Sequence, residues 1–327
     1  MQTDMKVAVV FPGQGTQRKG MGEDFYHAVA ASQAVYEEAS DLVGWDVADM
    51  CFQENDLIDL TEYAQPCIFT TEIAMLRGLE SICGFVADFF GGHSVGEYAA
   101  LVAAGAMPFS EALKAVRERG RLMQQYFPEK AGGMMAVIGE NLSPERIGDE
   151  IAHLSVDVAN INSSTQVVIS GRFDALDQAR QIIEKSVTDP QSVRFVPLNV
   201  SAPFHSRFMA GIEEDFRAVL VSARETFCSA SAQQVTSNYT GGFHPDDVKA
   251  VIDNLVFQIS GTVQWRQNMD RLCEKADTVY EVGPHRPLNL FFRSIDVECK
   301  SITTLAAAER AFNKNEGDRS RPTHPAE

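Results

Sequence analysis

The sequence reads Asp88-Phe89-Phe90-Gly91-Gly92-His93-Ser94-Val95-Gly96, where a short apolar strand runs into the pattern G-x-S-x-G. A helix is predicted over 94–104, with Gly105 just past its end as a C-cap. In such a unit the serine lies on a sharp turn, its hydroxyl exposed at the sheet edge and the positive end of the helix beside it. The alternative is an accidental glycine-rich turn in which Ser94 only caps the helix. The strand and helix on either side favour a serine nucleophile.

The segments around this unit predict an α/β fold with a mainly parallel sheet. A continuous run of β-branched and aromatic residues at 6–11 indicates a fully buried strand that ends in a Pro-Gly turn. Apolar residues have helical spacing at 24–43 and 64–82, and a further helix is predicted from 110 to about 126. Strands and helices in alternation are typical of a parallel sheet covered by helices.

The middle of the chain predicts a second, smaller unit. Strands are expected at 133–138, 156–160, 166–170 and 193–200, and helices at 143–153 and 173–186. Their order, β-α-β-β-α-β, is the split pattern of a ferredoxin-like unit. Helices near 207–224 and 246–258 and a strand at 278–282 then return the chain to the first unit. We expect one subdomain from 1–131 and 200–310, a small subdomain over 132–199, and a mobile tail over 311–327.

Composition excludes several classes of protein. With 45% hydrophobic and 22% charged residues, the 327-residue chain has the make-up of a globular protein. Its net charge of −17 argues against nucleic acid or an anionic membrane as the main partner. The six scattered cysteines predict neither a zinc site nor a disulfide framework. No apolar run reaches about 18 residues, and the first one is too short for a signal peptide, so we expect a cytoplasmic protein.

A serine nucleophile needs a base, and the chain has seven histidines. His205 follows a strand-like run and its turn, and sheet proteins place catalytic groups at strand ends. His93 is adjacent to Ser94, and adjacent side chains tend to point apart. His244 and His285 lie in predicted loops and stay open as alternatives.

Arg119 has an unusual position on the helix predicted from 110. At about 100° per residue it lies at the margin of the apolar stripe, whereas Arg117 and Arg121 point away from it. A guanidinium beside a buried stripe needs an anionic or hydrogen-bonding partner, which a ligand carboxylate could supply. The alternative is a stem that packs on the core with its charged head in water.

Together these segments resemble the malonyl-CoA:acyl carrier protein transacylases, including the discrete acyltransferases of polyketide synthases. The matching stretches follow the family's order and cover nearly the whole chain. They are 11–17 with 20–22, Thr61 with 65–66, 92–98, 117–124, 160–163 with 166–171, 200–206 and 281–284. The resemblance implies an α/β-hydrolase-like large subdomain with a parallel sheet and an inserted ferredoxin-like small subdomain.

The resemblance also implies roles for individual residues. Ser94 would carry the acyl group as an ester, and His205 would be its general base and then acid. The backbone N–H groups of Gln14 and Val95 would form the oxyanion hole. The implied substrate-binding residues are Arg119, which would pair with the malonyl carboxylate, Phe204, Gln258 and Asn162. In this family a backbone carbonyl orients the imidazole, so no acidic third member is nominated, and Asp157 and Asp189 stay unassigned.

The implied activity is transfer of a malonyl group from malonyl-CoA to the phosphopantetheine thiol of an acyl carrier protein. No bound cofactor and no metal is expected, and the family implies a monomer. Phe204 before the histidine and Val95 after the serine match malonyl rather than methylmalonyl enzymes, because a benzyl group fills the space of an α-methyl. The pair Ala202-Pro203 departs from the His-Ala pair of many modular malonyl enzymes.

Three other functions stay open. An acyl hydrolase that clears carriers would share Ser94 and His205, but it should not need Arg119. A generic esterase would need an acidic triad member. A non-catalytic carrier-docking domain could keep the fold without the chemistry. Arg18 and Lys19 are candidates for contact with an acidic carrier or CoA phosphates, or else solvated loop charges.

Overall fold

The protein is described by a computed structural model covering residues 5–127, 131–140, 142–186, 192–200 and 202–312. The strands are β1 Val7–Phe11, β2 Phe89–Gly92, β3 Gly132–Ile138, β4 Val156–Ser163, β5 Gln166–Arg172, β6 Arg194–Pro197, β7 Thr278–Val282 and β8 Cys299–Ile302. They form two separate four-stranded sheets.

Helices cover both sheets. They are α1 Glu23–Ala28, α2 Ala30–Val43, α3 Val47–Phe52, α4 Thr61–Cys83, α5 Gly96–Ala103, α6 Phe109–Tyr126, α7 Pro144–Ile151, α8 Phe173–Ser186, α9 Glu213–Ser222, α10 Ser229–Ala232, α11 Val248–Phe257, α12 Trp265–Cys273, α13 Pro287–Arg293 and α14 Leu305–Phe312. None of these helices is both long and apolar enough to cross a membrane, as far as the described ranges extend.

The first sheet is parallel and has the order β2-β1-β7-β8. Its central strand β1 is fully buried from Ala8 to Phe11, as the continuous apolar run predicts. The register pairs Phe11 with Gly92, so β1 and β2 end side by side. The turns that follow these two strands therefore meet at the carboxyl edge of the sheet, where α/β proteins place their ligand sites.

The second sheet is antiparallel and has the order β4-β5-β3-β6. Its strands and the helices α7 and α8 follow the order β-α-β-β-α-β, and they enclose an apolar cluster of their own. The predicted fold class, a parallel α/β unit with a smaller ferredoxin-like unit, is confirmed. The residue limits given above for the two subdomains stay predictions.

The structure differs from the predicted elements at several boundaries. The helix predicted at 24–43 breaks at Val29, whose extended backbone separates α1 from α2. The helix predicted from Ser94 begins at Gly96, because Ser94 has a left-handed backbone that no α-helix accepts. Strand β8 was not predicted, since its four residues include Lys300 and Ser301. Of the predicted tail, 311–312 end helix α14, and 313–327 lie outside the described residues.

We expect Gly92→Ala to lower the free energy of unfolding by about 3 kcal/mol. A β-carbon at this position would lie 2.0 Å from the carbonyl of Gly96 and 2.4 Å from the nitrogen of Glu97. Both are backbone atoms, so the clash is relieved only if the turn moves. Urea unfolding measures the loss. Gly242→Ala is the matched control, because nothing lies within 4 Å of a β-carbon there, and equal losses in the two variants would contradict the steric argument.

Candidate active site

Ser94 lies on the tight turn between β2 and α5. Its φ of 54° is in the left-handed region, where a non-glycine residue costs about 1–3 kcal/mol. Glycine on both sides is required by space, since a β-carbon at Gly96 would lie 2.3 Å from the carbonyl oxygen of Phe11. The Ser94 N–H donates to Oδ1 of Asn238 at 3.1 Å, which holds the turn in this conformation.

His205 is the histidine that reaches Ser94. Its Nδ1 donates to the backbone carbonyl of Gln258 at 2.7 Å, which leaves Nε2 to accept the Ser94 hydroxyl hydrogen at 2.8 Å. Burial and the nearby positive charge of Arg119 lower the pKa of His205 to about 3. The imidazole is therefore neutral at physiological pH, and the pair can move a proton from the hydroxyl to Nε2.

The other residues considered as triad members lie elsewhere. His93 bonds Oδ1 of Asn162 at 2.8 Å, and burial lowers its pKa to about 4. His244 is buried against Glu97, and His285 is exposed.

Neither of the two aspartates left unassigned is shown at the imidazole. Asp157 accepts hydrogen bonds from the backbone N–H and the side chain of Arg207, and Asp189 lies outside the described residues. Within those residues, no carboxylate hydrogen-bonds His205.

Arg119 is fully buried beside Ser94. Its Nη2 donates to the Ser94 hydroxyl at 3.1 Å and to Oε1 of Gln258 at 2.9 Å, and its Nη1 donates to Oε1 of Gln65 at 2.8 Å. Burial lowers the pKa of this guanidinium. Every one of these partners is neutral, and no carboxylate of the described chain pairs with it. A buried cation with only neutral partners can bind an anionic ligand, and the contact of Nη2 with Ser94 Oγ would bring such a ligand next to that hydroxyl.

Two backbone N–H groups near Ser94 stay available. Those of Gln14 and Val95 donate to no acceptor among the described residues, whereas the Ser94 N–H is occupied by Asn238. Gln14 stands on the turn after β1, and Val95 precedes α5. Free donors at the carboxyl edge of a parallel sheet can stabilise a negative oxygen that develops on a group bound at Ser94.

A cavity of about 310 Å³ opens above Ser94 and His205. Phe204 and Asn162 line it, as does the side of the antiparallel sheet formed by Met134, Ala136 and other apolar residues. Val95, Arg119 and Gln258 are not part of its lining and lie behind the two reactive side chains. The walls are largely apolar and carry a few polar side chains, as in sites for small organic molecules.

Sequence reasoning missed several residues that hold this site. They are Gln65, Asn238 and Glu97; His244 was considered only as a base, and it lies against Glu97 instead. Two of them carried a signal: Gln65 lies in one of the matching stretches, and Glu97 is the only charged residue of the apolar helix α5.

Within the described ranges, no group of three or more His, Cys, Asp or Glu side chains is placed to hold a metal ion.

The two loop cations near the site differ in their surroundings. Nε of Arg18 donates to the carbonyl of Pro284 at 2.8 Å, next to helix α13. Nζ of Lys19 lies 3.6 Å from a carboxylate oxygen of Glu54, and both side chains are exposed. Arg18 is therefore held against the backbone, and Lys19 lies at the surface beside Glu54. Contact of either residue with an acidic carrier or with CoA phosphates stays a prediction.

Comparison with known proteins gives the family. The acyl transferase domain family matches residues 8–296. The chain belongs to this family. A Bacillus subtilis (strain 168) protein, malonyl CoA-acyl carrier protein transacylase, is 32% identical over 304 residues, which are 91% of this chain and 92% of that protein.

Solved structures agree with this family assignment. The malonyl CoA-acyl carrier protein transacylase of Clostridium perfringens superposes with a TM-score of 0.85 at 30% identity, covering 96% of this chain and 98% of that one. A malonyl-transacylase in complex with its type II polyketide synthase acyl carrier protein has a TM-score of 0.85 at 29% identity, covering 95% and 100%. These two structures therefore share the fold of this chain over nearly its whole length.

Proposed function

We propose that this protein transfers a malonyl group from malonyl-CoA to the phosphopantetheine thiol of an acyl carrier protein, through an ester on Ser94. The observation that carries the proposal is the buried guanidinium of Arg119, which touches the Ser94 hydroxyl and has no carboxylate partner among the described residues. A malonyl group has a free carboxylate two bonds from the thioester carbonyl. The carboxylate of one ligand can therefore pair with Arg119 while its carbonyl lies at the Ser94 hydroxyl. The names of the relatives point to the same substrate and partner.

In the first half of the reaction, the enzyme becomes acylated. His205 Nε2 takes the hydroxyl proton as Ser94 Oγ attacks the thioester carbonyl. The N–H groups of Gln14 and Val95 donate to the oxygen that becomes negative. When this oxyanion collapses, the carbon–sulfur bond breaks and CoA leaves as a thiol with the proton from His205. The malonyl group stays on Ser94 as an ester.

In the second half, the acyl group leaves for the carrier. The phosphopantetheine thiol gives its proton to His205 and attacks the ester carbonyl. The same two N–H groups hold the oxyanion, and Ser94 Oγ leaves with the proton from His205. Arg119 binds the carboxylate in both halves and so keeps the carbonyl in reach of Oγ and of the donors. The pantetheine arrives on the carrier, so this scheme needs no resident cofactor.

Mass spectrometry of the intact protein tests the proposal directly. The protein is mixed separately with malonyl-CoA, acetyl-CoA and methylmalonyl-CoA. We expect a mass increase of one malonyl group, which disappears when a holo acyl carrier protein is added and reappears on the carrier. Loading of acetyl in preference to malonyl, or no covalent adduct at all, would sink the proposal.

An acyl hydrolase is the second candidate function, because Ser94 and His205 would serve it equally well. Arg119 favours the transferase, since an enzyme that clears carriers should accept acyl groups without a carboxylate. The two are separated by measuring how much malonyl ester is released to water and how much to the carrier thiol. A non-catalytic docking domain would leave Ser94 unreactive toward a serine-directed fluorophosphonate probe.

We expect Phe204→Ser to raise loading from methylmalonyl-CoA relative to malonyl-CoA by about 10-fold or more, as expected when space for one methyl group is opened. Phe204 is buried and lines the cavity next to His205, so loss of its ring frees volume at the acyl group. Competition between the two CoA esters, read by mass, gives the ratio.

The control for this prediction is Phe173→Ser, which removes an exposed ring outside the cavity. It should leave the ratio of methylmalonyl to malonyl loading unchanged. An unchanged ratio in Phe204→Ser would show that another wall excludes the α-methyl group.

A further inference from the structure

A buried carboxylate lies directly behind the candidate active site. Glu97, in the first turn of α5, is fully inaccessible to solvent. Its Oε1 accepts from Nε2 of His244 at 2.8 Å, and its Oε2 accepts from the backbone N–H and Nδ2 of Asn238 and from Nε2 of Gln258. The Asn254 amide nitrogen lies 3.3 Å from Nδ1 of His244, so both ring nitrogens of His244 have a partner. Four donors thus converge on one carboxylate that touches no substrate cavity.

One of these donors decides how Arg119 is held. The Gln258 amide gives its two hydrogens to Glu97 Oε2 at 2.6 Å and to the Ser94 carbonyl at 3.0 Å. Its oxygen must then face the other way, where it accepts from Nη2 of Arg119 at 2.9 Å. A flipped amide would place NH₂ against a guanidinium and leave two donors facing each other. Glu97 therefore fixes the orientation of the Gln258 amide, and so places Oε1 of Gln258 where it accepts from Nη2 of Arg119.

A second donor connects Glu97 to the serine turn. The Asn238 amide gives its hydrogens to Glu97 Oε2 and to the carbonyl of Gly92, so its oxygen is left to accept the N–H of Ser94. Glu97 is thus anchored to the same turn that carries Ser94. Its negative charge also lies close enough to Arg119 to favour the charged guanidinium.

We infer that Glu97 is a positioning residue that sets malonyl selectivity through Gln258 and Arg119. The inference rests on the proposed function. Glu97 offsets the buried positive charge of Arg119 before malonyl-CoA binds. Gln258 lies between the two side chains, so Glu97 does not compete with the malonyl carboxylate for the guanidinium of Arg119. A carboxylate in direct contact with Arg119 would block that site, whereas a neutral amide between them leaves it open.

The test is Glu97→Gln, which keeps the shape of the side chain and removes its charge. We expect the ratio of kcat/KM for malonyl-CoA to that for acetyl-CoA to fall about 10- to 100-fold, the range seen when a group that orients a ligand-binding side chain is lost. In an Arg119→Ala background, Glu97→Gln should leave the ratio unchanged, because the fork that it orients is gone. Glu118→Gln is the matched control, since that half-buried carboxylate is on the same helix as Arg119 and pairs with Arg121.

An equal fall in kcat/KM for malonyl-CoA and acetyl-CoA, or no fall for either, would overturn the inference. A purely structural role of Glu97 would change kcat/KM for both CoA esters by the same factor. If Glu97→Gln does not fold, Gln258→Met tests the same connection with the carboxylate left in place, and it must lower the same ratio. The proposed function fails in a different way: the wild-type protein would then not load malonyl at all.

Discussion

Ser94→Ala is expected to abolish covalent loading from malonyl-CoA and to lower kcat by up to about 10⁶-fold, as when the nucleophile of a serine enzyme is removed. The change deletes one oxygen, the atom that His205 and Arg119 both contact. The hydrogen bond from the Ser94 N–H to Oδ1 of Asn238 involves only the backbone of residue 94, so it is expected to persist in the variant. We therefore expect a folded protein without an acyl adduct, which intact mass and circular dichroism can show on one sample.

The control for this prediction is Ser222→Ala. Ser222 is an exposed serine whose hydroxyl donates to the carbonyl of Val219, and the Ser222→Ala variant should load malonyl as the wild type does. An acyl adduct that persists on Ser94→Ala would mean that another residue carries the ester. Peptide mapping of the adduct would then identify that residue.

Arg119→Ala is expected to lower kcat/KM for malonyl-CoA by a factor equivalent to about 3–5 kcal/mol, the cost of breaking a buried charge pair on one side. At about 1.4 kcal/mol per factor of ten, this is roughly two to three and a half orders of magnitude. The side chain is fully buried, so its pair with a carboxylate is not weakened by water. Acetyl-CoA has no carboxylate and should lose much less. Arg119→Lys should not restore the loss, because an ammonium cannot reproduce the fork that bonds Gln65 and Gln258.

Arg121→Ala is the control for the loss in Arg119→Ala. This exposed arginine is on the same helix and pairs with Glu118 at the surface. It should change malonyl loading little, since exposed pairs contribute about 0–1 kcal/mol. Unchanged malonyl loading by Arg119→Ala would remove the basis of the proposed substrate class.

Local patterns predicted much of the fold because they depend on neighbours in sequence. The apolar run of β1 and the order β-α-β-β-α-β follow from periodicity, and both are present in the structure. The Ser94 turn was predictable because only glycine fits at 92 and 96. The break at Val29 and the four-residue strand β8 were missed, because local spacing does not show which backbone groups a distant element will satisfy.

The site could be predicted less completely than the fold. Periodicity placed Arg119 at the margin of an apolar stripe but left open whether its head lies in water, and the structure buries it fully. From the residues alone, the strand-end position of His205 favoured it but left His244 and His285 as alternatives, and the family resemblance then selected His205. Glu97 was given no role, because its four donor groups belong to three residues that lie 141 to 161 positions away in sequence.

The sequence by itself determined most of the strands and helices, the glycine-flanked turn and the family to which the chain belongs, since each of these is encoded by short-range spacing or by a linear motif. Only the tertiary structure decided that an imidazole 111 positions away accepts the Ser94 hydroxyl hydrogen, and that the cation beside this pair has only neutral partners. The physical reason is that burial and hydrogen-bond satisfaction are properties of the packed molecule: they depend on which segments exclude water from one another, and no single segment carries that information.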